Sequence, residues 1–152
     1  MRVWRLVKSK HALSAFDGEG ARRYGGRWNS VGTIATYASD SAALAVLEVL
    51  VHLEDIRVLP AYSLVSAVIP DELIEDLDPA SLPRDWNAFP VAPPIQAIGD
   101  AWLRSARALG LRVPSAVVTP GVNVLINPAH VAFARMVVDP PTPFRFDDRL
   151  LG

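Results

Sequence analysis

Apolar and polar residues alternate at the start of the chain, as they do in a β-strand. The segment Arg2 to Val7 (RVWRLV) has this period of two, which would place every second side chain on one face of a sheet. A second extended stretch covers residues 61–69, and residues 34–38 predict a short strand before it. Further apolar runs predict strands at 113–118, 122–126 and 132–138.

Helical signals occur twice along the chain. The serine and aspartate at 39–40 can cap a helix that runs to about Leu53. Apolar side chains at helical spacing predict a second helix over residues 95–109, with Gly110 placed to end it. This order of elements predicts an α+β fold, a compact mixed sheet with flanking helices, in a single domain that spans residues 1–152.

The remaining segments have no regular period. Residues 17–33 (DGEGARRYGGRWNSVGT) are rich in glycine and arginine and predict a long loop. Residues 79–94 contain five prolines, which exclude regular structure and leave either an active-site flap or a rigid wrap over the core. The tail from Phe144 is expected to add an edge strand or to lie against the surface.

Composition excludes several classes of protein. The 152 residues are 51% apolar with a net charge of −1, so disorder and a global basic field for nucleic acid are both excluded. There is no cysteine, and the three histidines show no metal-ligand spacing. The longest apolar stretch, residues 42–53, is too short to span a bilayer, and no signal-peptide core is present. We therefore expect a soluble cytoplasmic protein without a metal site.

Glu48 is the most informative residue, because its predicted helix is otherwise apolar: residues 42–51 are AALAVLEVLV. Leu44, Leu47 and Val51 share its face of the helix by the i±3 and i±4 rule. An ionised carboxylate buried on such a face is costly unless it is paired or hydrogen-bonded. Two interpretations follow: a structural ion pair with an arginine, or a carboxylate that lines a catalytic cleft.

Arg27 lies in the segment Gly25-Gly26-Arg27-Trp28-Asn29. Glycines allow the backbone to approach a ligand closely, and a guanidinium offers two parallel donors to a phosphate. The alternative is a glycine-rich turn with a solvated arginine, because neither GxGxxG nor GxxxxGK[ST] is present.

Two other residues are candidates only in combination with these. Tyr37 ends the short strand before the helix, a position where tyrosine ordinarily packs in the core. Ser115 follows Pro114 in a predicted buried strand, and no Gly-x-Ser-x-Gly motif or histidine partner supports a serine hydrolase.

In their order and spacing these pieces resemble the RES domain, a family named for an arginine, a glutamate and a serine. The three are matched here by Arg27, Glu48 and Ser115, while Tyr37 and Arg5 resemble further family positions. The likeness runs from about residue 3 to residue 138. The segments that carry it are GGRWN at 25–29, AVLEVL at 45–50, VPSAVV at 113–118 and NVLINPxH at 123–130.

The resemblance implies a fold like that of ADP-ribosyltransferases and the role of toxin in a type II toxin–antitoxin system. RES proteins break down NAD+, by hydrolysis or phosphorolysis, or ADP-ribosylate a protein. The resemblance also implies an Xre-type helix-turn-helix antitoxin, contact with nucleic acid only through that antitoxin, and a homodimer within the toxin–antitoxin complex. NAD+ would be the substrate, with no permanently bound cofactor.

The same resemblance gives each candidate a role that fits its chemistry. Breaking the nicotinamide–ribose bond leaves an oxocarbenium-like charge on the ribose, which a carboxylate stabilises. We expect Glu48 to supply that carboxylate and Arg27 to clamp the pyrophosphate. Tyr37 would border or stack on the nicotinamide, Ser115 would bond the ribose or the amide, and Arg5 would contact phosphate or ribose.

Three activities stay open at this point. An NAD+ glycohydrolase or phosphorylase that depletes the cellular pool and arrests growth is favoured. A protein ADP-ribosyltransferase would use the same site with a protein side chain as acceptor. A non-catalytic binding module would instead use Glu48 in a structural pair with arginine.

Overall fold

In a computed structural model that describes residues 1–152, eight strands form one mixed sheet. Their order is β4-β5-β6-β2-β1-β3-β7, and β8 also pairs with β3. Only β4 and β5 run parallel; the other pairs are antiparallel. The strands are β1 (Arg2–Lys8), β2 (Thr36–Ser39), β3 (Tyr62–Val68), β4 (Ile74–Asp76), β5 (Gly110–Pro114), β6 (Val122–Ile126), β7 (Val137–Val138) and β8 (Thr142–Phe144).

Helices flank this sheet. The α-helices are α1 (Glu19–Tyr24), α2 (Ala42–Leu50) and α3 (Pro93–Ser105). Short 3-10 helices cover Ser9–Ser14, Asp71–Leu73, Pro79–Ser81, Phe133–Arg135 and Asp148–Leu150. The predicted α+β class, with a mixed sheet and flanking helices, is confirmed. No helix is both long enough and apolar enough to cross a bilayer.

The core lies on both faces of the sheet. Successive β6 residues Val124 and Leu125 are fully buried and belong to different hydrophobic clusters. Because side chains alternate along a strand, β6 is covered on both sides. The Val124 cluster includes Phe16, which follows the first 3-10 helix, and the Leu125 cluster includes Trp102 of α3.

The sheet is nearly split between β1 and β2. These strands pair at one position, Trp4 opposite Ser39. Beyond it, the Arg5 guanidinium donates to the carbonyl oxygen of Tyr37. In a continuous ladder this carbonyl would accept a hydrogen bond from a backbone N–H of the neighbouring strand. Here an arginine side chain takes that place, and a gap opens between β1 and β2.

The boundary predicted for the second helix was wrong. Helix α3 ends at Ser105, Ala106 is left-handed with φ 49°, and Gly110 begins β5 rather than ending the helix. Leu109 has the right spacing for α3, but it is buried in the other core cluster. The chain must therefore leave the helix before Leu109 to reach that side of the sheet.

Two predicted strands are shorter than expected because turns form within them. The strand expected at 113–118 ends at Pro114, where Ser115 accepts hydrogen bonds from the backbone N–H groups of Val117 and Val118 and so makes a turn. The strand expected at 132–138 is a 3-10 helix followed by the two residues of β7.

The irregular segments are partly ordered into helices. Within the loop expected at 17–33, residues 19–24 form α1. The proline-rich segment begins with a 3-10 turn, and its last two prolines start α3, where a missing N–H costs nothing. Near the C-terminus, β8 pairs with β3, and Phe146 packs edge-on against Tyr62, so both expectations for the tail hold in part.

Candidate active site

A cavity of about 900 Å³ opens at the gap between β1 and β2. Its walls come from β1, β2, β6, α2 and the segment from the first 3-10 helix to residue 28. This segment ends within the Arg27 loop, by which we mean residues 25–30. Four of the five residues singled out in the sequence line it: Arg5, Arg27, Tyr37 and Glu48. Ser115 does not.

Glu48 reaches the cavity from the last turn of α2. The helix begins after Ser41, whose hydroxyl accepts a hydrogen bond from the Leu44 N–H. The carboxylate Oε1 accepts two hydrogen bonds, from Ser115 Oγ at 2.7 Å and from Asn123 Nδ2 at 2.6 Å. No arginine pairs with this carboxylate, so the structural ion pair considered for Glu48 is absent.

Ser115 lies behind Glu48, with 1% of its surface exposed. Its hydroxyl oxygen accepts hydrogen bonds from the backbone N–H groups of Val117 at 3.1 Å and Val118 at 3.0 Å. The hydroxyl itself donates a hydrogen bond to Glu48. A hydroxyl has one proton and two lone pairs, and all three are used here. This position gives no support to the direct ribose or amide contact predicted for Ser115; the hydroxyl holds Glu48 instead.

Asn123, which begins the family segment NVLINPxH, is a contact of Glu48 that was not predicted as a site residue from the sequence. It lies in β6 opposite Ser39 of β2, and the Ser39 hydroxyl donates to Asn123 Oδ1 at 2.8 Å. The signal available was weak: a polar side chain inside an apolar strand, the same kind of signal that marked Glu48 in its helix.

The Arg27 loop is a tight turn built from glycines. Gly25 has φ 72°, which favours glycine, and a Cβ at Gly26 would lie 2.6 Å from the Tyr37 hydroxyl. The Gly26 N–H donates to the Asn29 carbonyl at 2.9 Å and closes the turn. Arg27 is therefore presented by a turn with defined backbone geometry.

The Arg27 guanidinium reaches the proline-rich segment. Its Nη1 donates to the carbonyl oxygens of Trp86 at 2.8 Å and Ala88 at 3.0 Å. Trp86 stacks on Trp28 with ring centroids 6.1 Å apart, and both pack in the hydrophobic cluster that includes Trp102 of α3. Burial lowers the pKa of Arg27, and the negative charge of Glu48 opposes that change.

The Tyr37 hydroxyl is built into the same loop. It donates to Asn29 Oδ1 at 2.6 Å and accepts the Trp28 N–H at 2.9 Å. Burial raises the pKa of this phenol well above its usual range, so Tyr37 is neutral at physiological pH. Its ring borders the cavity while its oxygen fixes the backbone beside Arg27.

Helix α3 supports the Arg27 loop from outside. Gln96 Nε2 donates to the carbonyls of Gly26 at 3.0 Å and Asn29 at 3.2 Å. The Asp100 carboxylate accepts two hydrogen bonds from Ser30, one from its backbone N–H at 3.0 Å and one from its hydroxyl at 2.5 Å. Between them, Gly99 allows the Trp28 carbonyl to approach so closely that no Cβ would fit.

Arg5 is the second predicted arginine in the cavity wall. Its guanidinium lies over the Phe16 ring at 5.9 Å, and its Nε has no hydrogen-bond partner. Burial lowers the pKa of Arg5 to about 10, and Asp17 opposes the change. The Nε atom is out of reach of a ligand, so the Arg5 atom that can bond a ligand oxygen in the cavity is Nη2, which makes no hydrogen bond within the protein.

The site holds no group of three or more Asp, Glu or His side chains that could bind a metal ion. The chemistry available here includes a fixed carboxylate, the guanidinium groups of Arg5 and Arg27, and a neutral phenol in one cavity. The RES domain family model matches residues 2–147. The chain belongs to the RES-domain family.

Curated relatives and a solved structure agree with this family. A protein named Toxin Res from Photorhabdus laumondii is 42% identical over 137 residues, covering 90% of this chain and 88% of the relative. A Prs ADP-ribosylating toxin from Sphingobium is 39% identical and covers 84% and 82%. A chain in the crystal structure of the M. tuberculosis MbcT–MbcA toxin–antitoxin complex superposes with a TM-score of 0.75 at 25% identity, covering 94% and 83%. The predicted family is confirmed.

Proposed function

We propose that this RES domain is the toxin of a type II toxin–antitoxin system and that it cleaves the nicotinamide–ribose bond of NAD+. The observation that carries the proposal is the Glu48 carboxylate, held by two donors in the wall of a cavity that also contains Arg27. A cavity of about 900 Å³ is in the size range of small-molecule and cofactor sites, and it opens between strands rather than at a flat surface.

Glu48 carries the bond-breaking step in this proposal. As the bond to nicotinamide lengthens, positive charge develops on the ribose, and a carboxylate fixed beforehand stabilises it without reorganising. Nicotinamide leaves as a neutral molecule, so no strong acid is required. Ser115 acts through Glu48 as a positioning residue.

The arginines bind and orient the dinucleotide. The Arg27 guanidinium bonds Trp86 and Ala88 through Nη1, which leaves Nη2 and Nε to bind a phosphate in the bidentate manner. Arg5 uses Nη1 for the Tyr37 carbonyl and its Nε is buried, so its Nη2 offers the further donor to a phosphate or ribose oxygen. Tyr37 is uncharged and borders the cavity, which suits a surface for the nicotinamide ring.

A second candidate activity is ADP-ribosylation of a protein, supported by the Sphingobium relative that carries this activity in its name. Both activities share the step at Glu48 and differ in what attacks the ribose: water, phosphate or a protein side chain. The NAD+-depleting reaction stays our first choice.

The proposed partners follow from the family and the solved neighbour. The likeness to a chain in the MbcT–MbcA complex supports an antitoxin partner for this chain. We propose an Xre-type antitoxin, a homodimeric toxin within the complex, contact with nucleic acid only through the antitoxin, and a cytoplasmic site of action.

Product analysis tests this function. Labelled NAD+ is incubated with the protein, with and without phosphate. Free ADP-ribose or its phosphate ester supports NAD+ breakdown, and label on protein supports transfer.

Glu48→Gln keeps an oxygen acceptor for Ser115 and Asn123, so it should fold normally yet lose about 10³-fold or more in rate. Glu54→Gln, an exposed neutralisation four residues beyond α2, is the matched control and should retain the wild-type rate. Wild-type turnover by Glu48→Gln would remove Glu48 from the chemistry.

A further inference from the structure

The two oxygens of the Glu48 carboxylate have different surroundings. Oε1 accepts both protein hydrogen bonds, from Ser115 and from Asn123, whereas Oε2 accepts none. Two donors converging on one oxygen fix the plane of the carboxylate as well as its position. Only Oε2 is left for a ligand in the cavity.

The orientation of Asn123 is decided by Glu48, whose carboxylate only accepts and therefore requires the amide nitrogen on its side. An amide oxygen can only accept, so the Ser39 hydroxyl, 2.8 Å from Asn123 Oδ1, must donate its proton there. That bond holds the amide oxygen while the amide nitrogen donates to Glu48. A flipped amide would place its oxygen against the carboxylate oxygen and lose the bond to Glu48, whereas the Ser39 hydroxyl could still accept from the amide nitrogen.

The sheet sets the spacing of this pair. Ser39 and Asn123 are directly opposed in the β2–β6 ladder, so both side chains lie on the same face and at a fixed distance. Ser39 is buried, with 3% of its surface exposed, and no other side chain competes for its hydroxyl. The backbone of two strands thereby determines where a helix-borne carboxylate points.

We propose that Ser39 and Asn123 are positioning residues for Glu48: they commit Oε1 to the protein and leave Oε2 as the oxygen that contacts the ribose. This rests on the proposed NAD+ cleavage and adds two residues to its machinery. A carboxylate held from one side only, by Ser115, could rotate about its terminal torsion and would meet the developing charge less often.

Steady-state cleavage of NAD+ by variants of the full chain tests the positioning role. Asn123→Ala should lower kcat by about 100-fold and change KM by less than about threefold, because the loss falls on the transition state. Asn123→Asp keeps the acceptor for Ser39 but places a second carboxylate against Glu48, and should lower kcat further. Ser39→Ala should lower kcat by about tenfold, and Ser39→Thr, which restores the hydroxyl, should recover most of it.

Ser63→Ala is the matched control for Ser39→Ala. Ser63 is also a buried strand serine whose hydroxyl bonds one serine, Ser9 at 2.8 Å, but it lies outside the cavity wall. Wild-type kcat in Asn123→Ala, or a loss confined to KM, would overturn the proposal. So would equal losses in Ser39→Ala, Ser39→Thr and Ser63→Ala.

A second measurement does not depend on turnover. The side-chain amide resonance of Asn123, identified by its absence in Asn123→Ala, should shift and exchange faster with solvent in Ser39→Ala. It should also shift in Glu48→Gln. An unchanged resonance in both variants would exclude the Ser39–Asn123–Glu48 chain of bonds. If the wild type cleaved no NAD+, the proposed function would fail, and this resonance would still decide whether the chain of bonds exists.

Discussion

A substitution at Gly99 of α3 tests whether activity depends on the position of the Arg27 loop. A methyl group at this position would lie 1.8 Å from the Trp28 carbonyl oxygen, whereas real Cβ atoms keep at least 3.0 Å. In Gly99→Ala, α3 and the Arg27 loop must separate by about 1.2 Å to restore that distance. The Gln96 bonds to the loop, now 3.0 and 3.2 Å, would then exceed hydrogen-bonding range.

Two magnitudes follow from this displacement. Overpacking costs about 1 to 3 kcal/mol, which for a domain of this size lowers Tm by roughly 3 to 10 °C. Misplacing a binding arginine by about 1 Å lowers kcat/KM by roughly 100-fold. Thermal unfolding and NAD+ cleavage, both measured well below the variant's Tm, give the two values.

A control on the same helix separates displacement from destabilisation. Ala97 is exposed in the middle of α3, and Ala97→Gly costs about 1 kcal/mol in helix propensity without adding any atom. It should lower Tm and leave cleavage intact. If Gly99→Ala lost no more activity than Ala97→Gly, the position of Arg27 would not depend on its support by α3.

Further predictions concern the loop, the core and pH. Tyr37→Phe removes the hydroxyl that holds the Arg27 loop and should lower the free energy of unfolding by about 1 to 3 kcal/mol, as measured with urea; an unchanged midpoint would contradict this. Leu125→Ala, at a fully buried position, should cost about 2 to 5 kcal/mol in the same assay, and a loss below 1 kcal/mol would show that the core refills the space. A hydrogen bond from Ser66, aided by a nearby arginine, holds the pKa of Asp139 below its usual range. The resulting stabilisation is present above the ordinary aspartate pKa of about 3.9 and is lost as pH falls through the lower folded value, so Asp139→Asn should reduce the drop in Tm between about pH 6 and pH 3.

The elements that the sequence predicted well are those whose signal is local. Strand β1 has a period of two and lies close to its expected bounds. Helix α2 was predicted from its apolar face, but its cap is Ser41, not residue 39 or 40, and it ends at Leu50, not at Leu53. The same apolar helix drew attention to Glu48, which lines the cavity. That Arg5, Arg27 and Tyr37 share this cavity could be anticipated only through the family resemblance; their roles stay predictions.

What the sequence did not predict depends on partners far along the chain. The bonds to Glu48 come from residues 67 and 75 positions away, and the support of the Arg27 loop by Asp100 spans 70 positions. No periodicity encodes such pairs. Ser115 was also difficult to predict. The apolar run predicted a strand through residue 115, but the Ser115 hydroxyl forms a local turn that ends the strand before it.

The bonds from Arg27 to the carbonyls of Trp86 and Ala88 change how a substitution at this position must be interpreted. Arg27→Ala removes the proposed phosphate donor, but it also releases a segment 59 to 61 residues away in the chain. A measured loss of affinity therefore contains the entropy of reordering that segment as well as the lost contact. In the proposed phosphate-binding role lysine cannot substitute, because one ammonium nitrogen cannot hold two carbonyls and still present a planar pair of donors. The position requires an arginine for its shape, not only for its charge.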